Sequence, residues 1–223
     1  MKIAVYTAIS GNKSELLDPP VVHDGIDYIA FTDQIHRTHK VWQKRDIIPF
    51  TLTTKFTNRR NAKVFKILPD LFLPEYDVTI YHDGGHFCLM NPYDIIKTYL
   101  PNDTDDLAVF KHRWNTCIYK EAEDVKREKV DDPILVDTQV DYYRKNGYPV
   151  NNGLYELPVL IRKKSQSNML IGLRWWEQIC KYSSRDQISF PIVMWTLGKT
   201  PIILPGNGNG LGNSNNIVPH YKV

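Results

Sequence analysis

An α/β sandwich around a mostly parallel sheet is the fold class this sequence predicts, and three observations carry the prediction. In the first half of the chain, strand-like runs alternate with amphipathic helical stretches. Several of the strand-like runs are apolar almost throughout, as strands buried on both faces are. The 223 residues, 42% hydrophobic and 24% charged, have ordinary globular composition and enough length for a sizeable core.

Lys2 to Thr7 reads as the first strand, followed by the Gly-, Asn-, Ser- and Pro-rich loop SGNKSELLDPP. DYIAFTD, Asp27 to Asp33, is a second strand ending on a carboxylate, and Val41 and Trp42 start a short third. Thr54 to Leu68 is a helix, because Phe56, Arg60, Val64 and Ile67 fall on one stripe and Pro69 stops it. YDVTIYHD is a strand, and Asn91 caps a helix with Pro92 at its first position, running to Tyr99. DDLAVFKH is another strand, then come polar amphipathic helices over Cys117 to Glu128 and Pro133 to Lys145. LPVLIRK is a strand, Met169 to Tyr182 and Asp186 to Leu197 are helices, and TPIIL is the last strand. One domain over residues 1–204 results, with a low-complexity tail over 205–223 that contains PGNGNGLGNSNN. The tail either folds back on the site or leads to a linker and further domains of a longer polypeptide.

Composition narrows the function. A formal net charge of +3 gives no overall nucleic-acid signature, so any basic function must be local. The three cysteines, Cys88, Cys117 and Cys180, are far apart and odd in number, which argues against a disulfide framework and fits a reducing, cytoplasmic compartment. The opening MKIAVYTAIS is too short for a signal peptide, and no run approaches a membrane span.

In open α/β sheets ligands sit outside the carboxyl ends of the strands, and Thr7, Asp33 and Asp83 are polar residues at three such ends. Asp83 is followed by Gly84 and Gly85, which would let a phosphate or sugar approach the backbone, and by His86, which could turn back. A carboxylate there suits a hard divalent cation, and it equally suits a plain turn closed by an Asx hydrogen bond. Arg59, Lys63 and Lys66 form one basic helix face, which is either solvated or bound to an anion. Arg60 lies on the apolar stripe and needs a partner, either a diphosphate or a strand-end carboxylate such as Asp33 or Asp83. In SSRDQISF, Ser184 reads as an N-cap, with Asp186 and Gln187 in the first turn as capping residues or as a sugar-hydroxyl acceptor or base. Asn151 to Gly153 form a turn that could present amides, and His112 and Arg113 follow a strand. Trp175, Trp176 and Trp195 read as core, with one of them able to stack on a sugar face.

Taken together, YTAI, DYIAFTD, AKVFKILPDLFLPEYDVTIYHDGG, DLAVFKHRWNTCIYKEA, GLYELPVLIRK, WWEQI and SRDQISFPIVMW resemble a glycosyltransferase-like family catalogued as a domain of unknown function, DUF616. The resemblance runs from Lys2 to Trp195, and the family is in turn similar to retaining GT-A glycosyltransferases, especially family 8. It implies a GT-A-type nucleotide-diphospho-sugar transferase fold and a UDP-sugar donor, with Mn²⁺ or Mg²⁺ bridging the diphosphate. A hexose of glucose or rhamnose type would move to a glycan acceptor, such as a surface or capsid glycan in the host cytoplasm if the source is viral. Thr7 and Ala8 would lie by the base, Asp33 near the uridine, and Lys63, Lys66 and Arg60 on the phosphates. Asp83 matches the single acid of the metal motif, Gly85 stands where a second Asp is expected, and His86 or His220 would complete the metal site. Asp186, Gln187 and Asn152 would orient the donor sugar, and retention of configuration follows by analogy alone. Two other functions compete: a metal-dependent hydrolase using Asp83 with His82, His86 and His112, and a non-catalytic sugar- or nucleotide-binding domain. No His-x-x-x-His falls on a helix to favour the first.

Overall fold

The computed structural model describes residues 1–11, 15–33, 39–47, 57–208, 210–211 and 217–219. In chain order they form β1 (Ile3–Ile9), β2 (Ile26–Thr32), β3 (Gln43–Asp46), α1 (Thr57–Ile67), α2 (Pro69–Phe72), β4 (Val78–His82), β5 (His86–Cys88) and α3 (Pro92–Tyr99). There follow β6 (Leu107–Lys111), α4 (Ile118–Arg127), α5 (Pro133–Lys145), β7 (Tyr155–Lys163), α6 (Gln166–Lys181), α7 (Asp186–Thr196) and β8 (Ile202–Leu204). Three short tail strands close the order, β9 (Gly206–Asn207), β10 (Gly210–Leu211) and β11 (Ile217–Pro219).

The central sheet has seven strands in the order β3-β2-β1-β4-β7-β6-β8. Every pairing in it is parallel except those of β7, which runs antiparallel to both β4 and β6. The carboxyl ends of the other six strands, and the amino end of β7, therefore share one edge of the sheet. Alternation along β1 splits the core: Ala4, Tyr6 and Ala8 face the layer of α1 and α4–α7, while Ile3, Val5 and Ile9 face Ile95 and Ile96 of α3. All seven β1 residues are buried, which explains the continuous apolar run.

Among the described residues three helices, α3, α5 and α6, begin at side-chain caps. Asn91 accepts from Tyr93 N at 3.0 Å, Asp132 from Ile134 N at 2.8 Å, and Ser165 from Asn168 N at 3.0 Å. Ser184 does not cap α7; its hydroxyl donates to Asp131 Oδ2 at 2.5 Å, and Arg185 occupies the N-cap position without a side-chain cap. The β1 strand runs two residues past Thr7, so Thr7 lies within the strand and Ser10 follows its end. The third strand is Gln43–Asp46, just after Val41 and Trp42. Residues 54–56 of the expected first helix lie outside the described residues. Only Trp175 of the three tryptophans assigned to the core is fully enclosed, at 1% exposure; Trp195 is 41% exposed. Among the described residues no helix is long and apolar enough to cross a membrane.

Helix α6 packs on α1 through Gly172, where a Cβ would sit 2.7 Å from Ile67 O. Alanine in place of glycine gains about 1 kcal/mol of helix propensity, but here it must push two backbones apart, at a cost of about 1–3 kcal/mol. Gly172→Ala is expected to lower the urea midpoint, and an unchanged or raised midpoint would show that the two helices separate freely.

Candidate active site

A cleft of about 610 Å³ opens at the shared edge of the sheet. Ala8, Ile9 and Ser10 enter it from the end of β1, Asp83, Gly84 and Gly85 from β4, and His112, Arg113 and Trp114 from β6. One face of α1, the start of β7, the first turn of α7 and Gly208 of the tail complete the wall.

At its centre is a group of buried charges. The i, i+3 spacing puts Lys63 and Lys66 on the same face of α1. Both ammonium groups reach Asp186 Oδ2, at 2.6 and 2.8 Å, and Lys66 also lies 3.5 Å from Asp83 Oδ1. The Lys66 and Asp186 side chains are 4% and 9% exposed, whereas Asp83 is 46% exposed, so the first two are shut from water while Asp83 faces the cleft. Tyr81 donates its hydroxyl to Asp83 Oδ1 at 2.8 Å, and burial together with Asp83 raises that phenol well above its ordinary pKa.

Burial alone would raise the Asp186 carboxyl, but the Lys63 and Lys66 ammoniums and the Arg185 guanidinium outweigh it and hold the group well below the usual range. Asp186 also opens α7, where a negative charge suits the helix dipole. Burial lowers Lys63 to about 8 against the pull of Asp186. Burial likewise acts to lower Lys66, but Asp186 and Asp83 outweigh it, so its pKa is raised. The basic face is thus a buried ion-paired surface rather than a solvated one. Lys66 is fixed from behind: Arg162 donates to its carbonyl at 2.7 Å, and the Tyr6 hydroxyl bridges the Phe65 and Lys66 carbonyls at 3.2 and 3.3 Å.

Flanking cations have protein partners. Arg59 donates to Val130 O at 2.5 Å and pairs with Asp131 at 3.7 Å. Arg185 donates to Gln187 Oε1 and lies 3.7 Å from Glu121. On the β6–β7 side Arg113 grips Glu156 with two nitrogens, Nε at 2.6 Å and Nη2 at 3.1 Å.

Of the residues singled out in the sequence, Ala8, Lys63, Lys66, Asp83, Gly84, Gly85, Asp186 and Gln187 meet in this cleft. Thr7 lies buried behind Ala8, its Oγ1 without a hydrogen-bond partner among the described residues. The Asp33 carboxylate accepts from Ser10 Oγ at 2.9 Å and Gly11 N at 2.8 Å, so it orders the loop after β1. Arg60 is on neither a strand-end carboxylate nor the cleft wall; its guanidinium donates to Ile179 O at 3.3 Å and Tyr182 O at 2.7 Å, at the end of α6. Asn152 lies in an exposed turn away from the cleft lining. Ring nitrogen Nε2 of His86 is 2.8 Å from Gly208 O, tying the histidine to the tail rather than to Asp83. Residues 217–219 form β11, which pairs antiparallel with β5, and His220 lies outside the described residues. Among the described residues no three His, Cys, Asp or Glu side chains converge as a protein-made metal cage requires. Tyr81, Trp114, Glu156 and Arg185 belong to the site and were not singled out by the sequence.

Comparison with known proteins agrees with this geometry. The sequence pattern of a family described as "TOD1/MUCI70, glycosyltransferase-like domain" matches residues 30–204. The chain is 29% identical over 143 residues to an Arabidopsis thaliana protein named "Probable hexosyltransferase MUCI70"; the match covers 60% of this chain and only 25% of that relative. Among solved structures, mouse xyloside xylosyltransferase 1 superposes with a TM-score of 0.53 at 8% identity, covering 90% of this chain and 84% of the other. The bifunctional glycosyltransferase WbbM superposes with a TM-score of 0.50 at 10% identity, covering 94% of this chain and 41% of the other. At such identities the superpositions establish the GT-A fold alone.

Proposed function

The chain belongs to the TOD1/MUCI70 glycosyltransferase-like family, and from that premise we propose that its cleft transfers a hexosyl group, of glucose or rhamnose type, from a UDP-sugar to a glycan acceptor. The observation that carries this reading is the pair of buried lysines at the carboxyl edge of the sheet, Lys63 and Lys66, flanked by Asp83 and Asp186. Ammonium groups held in a partly dehydrated cleft are the means by which a protein steadies the charge that develops on a departing diphosphate.

Asp83 fits a cation of the kind that keeps most of its shell for waters and phosphate oxygens: it is a half-exposed carboxylate with room beside it, since a Cβ on Gly85 would meet none of the described residues within 4 Å. Mn²⁺ or Mg²⁺ bound there would supply Lewis-acid neutralisation of the diphosphate. The chain's own groups do the rest: Lys63 and Lys66 exchange Asp186 for phosphate oxygens, Asp186 and Gln187 then accept from sugar hydroxyls, and Gly84 and Gly85 admit the donor against the backbone. Retention of configuration is part of the same reading and rests on analogy with retaining GT-A glycosyltransferases alone. Among the described residues no three His, Cys, Asp or Glu side chains converge as a hydrolytic metal centre would need.

Calorimetry with UDP-glucose, with and without Mn²⁺, tests the assignment, and absence of any UDP-sugar affinity would overturn it. The Lys63 ammonium, at about 8, gives a sharper check. Below that pH it is protonated and binds phosphate, and above it the charge is lost, so the Kd for UDP should be flat between about pH 7, above the phosphate's second ionisation at about 6, and pH 8, and rise by up to about tenfold per unit above. Lys63→Arg, whose guanidinium stays charged, should flatten the profile. A profile with the same alkaline limb in that variant would place the titrating group elsewhere.

A further inference from the structure

Resting on the donor reading above, we propose that the indole of Trp114 is the platform on which a pyranose ring of the acceptor glycan stacks. Trp114 is 81% exposed, the most exposed of the five tryptophans, yet it lines the polar cleft. The ring is braced: the Arg113 guanidinium lies over it 5.0 Å from the centroid, and Glu156 fixes that guanidinium through two nitrogens. The Gly208 amide of the tail donates to Glu156 Oε2, the same oxygen that Arg113 Nη2 holds. Below the ring, His112 Nδ1 accepts from Trp114 N at 3.3 Å and Asn115 N at 3.0 Å, which fixes the turn. An exposed aromatic that lines the cleft and is held under a guanidinium, ordered at this cost in conformational freedom, suits the flat C–H face of a sugar.

The sheet order says which sugar. Asp83 ends β4 and the residues lining the other end of the cleft follow β1, whereas Trp114 follows β6, two strands beyond β4 in the opposite direction. Strands lie about 4.8 Å apart, so Trp114 stands roughly 10 Å from the strand that carries the diphosphate, past the donor sugar and on the acceptor side.

The test titrates the intact protein with methyl pyranosides and with gluco-, galacto- and xylo-oligosaccharides by calorimetry, a readout that does not depend on the substituted indole, in the presence and absence of UDP. At least one oligosaccharide should bind with measurable heat, Trp114→Ala should weaken its binding at least tenfold, and Trp114→Phe should recover most of the loss. Equal affinity in Trp114→Ala, or no binding by any member of the panel, overturns the platform. The donor reading fails separately, by absence of UDP binding to the unsubstituted protein, and circular dichroism confirms that each variant folds.

Discussion

Asp186→Ala is expected to destabilise the protein by about 3–5 kcal/mol, the cost of leaving a buried charge without its partner. One oxygen, Oδ2, holds both Lys63 and Lys66, so its removal leaves two enclosed ammonium groups facing each other, with Asp83 3.5 Å from one of them. The first turn of α7 also loses a charge that complements its dipole, worth about 0.3–1 kcal/mol. Asp186→Asn keeps the shape and should lose most of the same stability, while Asp186→Ala combined with Lys63→Met and Lys66→Met should regain it. Urea midpoints read all three; a loss under about 1 kcal/mol in the single variant would mean that the lysines find water. The pH dependence has a definite sign. The folded Asp186 carboxyl is held well below its ordinary value, so its contribution is fully present above about pH 4, where the unfolded group is ionised. It is lost as pH falls toward the lower folded value, and Asp186→Asn should lack this acid limb.

The second large effect falls on ligand binding. Lys66→Met should weaken UDP by about 100-fold, about 2.7 kcal/mol, and leave uridine within about twofold. A buried ammonium gives a charge-assisted bond to phosphate of about 1.5–3 kcal/mol, and uridine has no phosphate to lose it. The variant should stay folded, because Asp186 keeps Lys63 at 2.6 Å. Equal losses for the two ligands would show that Lys66 shapes the cleft without touching phosphate.

The fold was legible where periodicity is strong. The buried strands and the caps at Asn91, Asp132 and Ser165 follow from pattern and side-chain chemistry, although only the first cap was singled out. The antiparallel sense of β7 was not legible, since a strand buried on both faces has the same composition in either direction. Strands of two or three residues, such as β5, β9 and β10, carry too little pattern to see. The site was legible as residues rather than as an arrangement: Lys63 and Asp186 meet across 123 positions of sequence, and no local rule announces it. Arg60 went astray because its partners are backbone carbonyls of α6, an acceptor every sequence contains and none advertises. Trp114 passed unnoticed because a lone aromatic in a loop has no period.

The shared carboxylate of Asp186 has a kinetic corollary. Any diphosphate that settles on Lys63 and Lys66 displaces an anion that stays attached to the same scaffold, within bonding distance of the groups it gave up. A tethered competitor of this kind is present at high effective concentration whatever the ligand level. It sets a ceiling on how tightly a nucleotide can be held and returns as soon as the nucleotide loosens. On the proposed reading, such a cleft would shed its spent nucleotide quickly, trading tight ground-state grip for faster turnover.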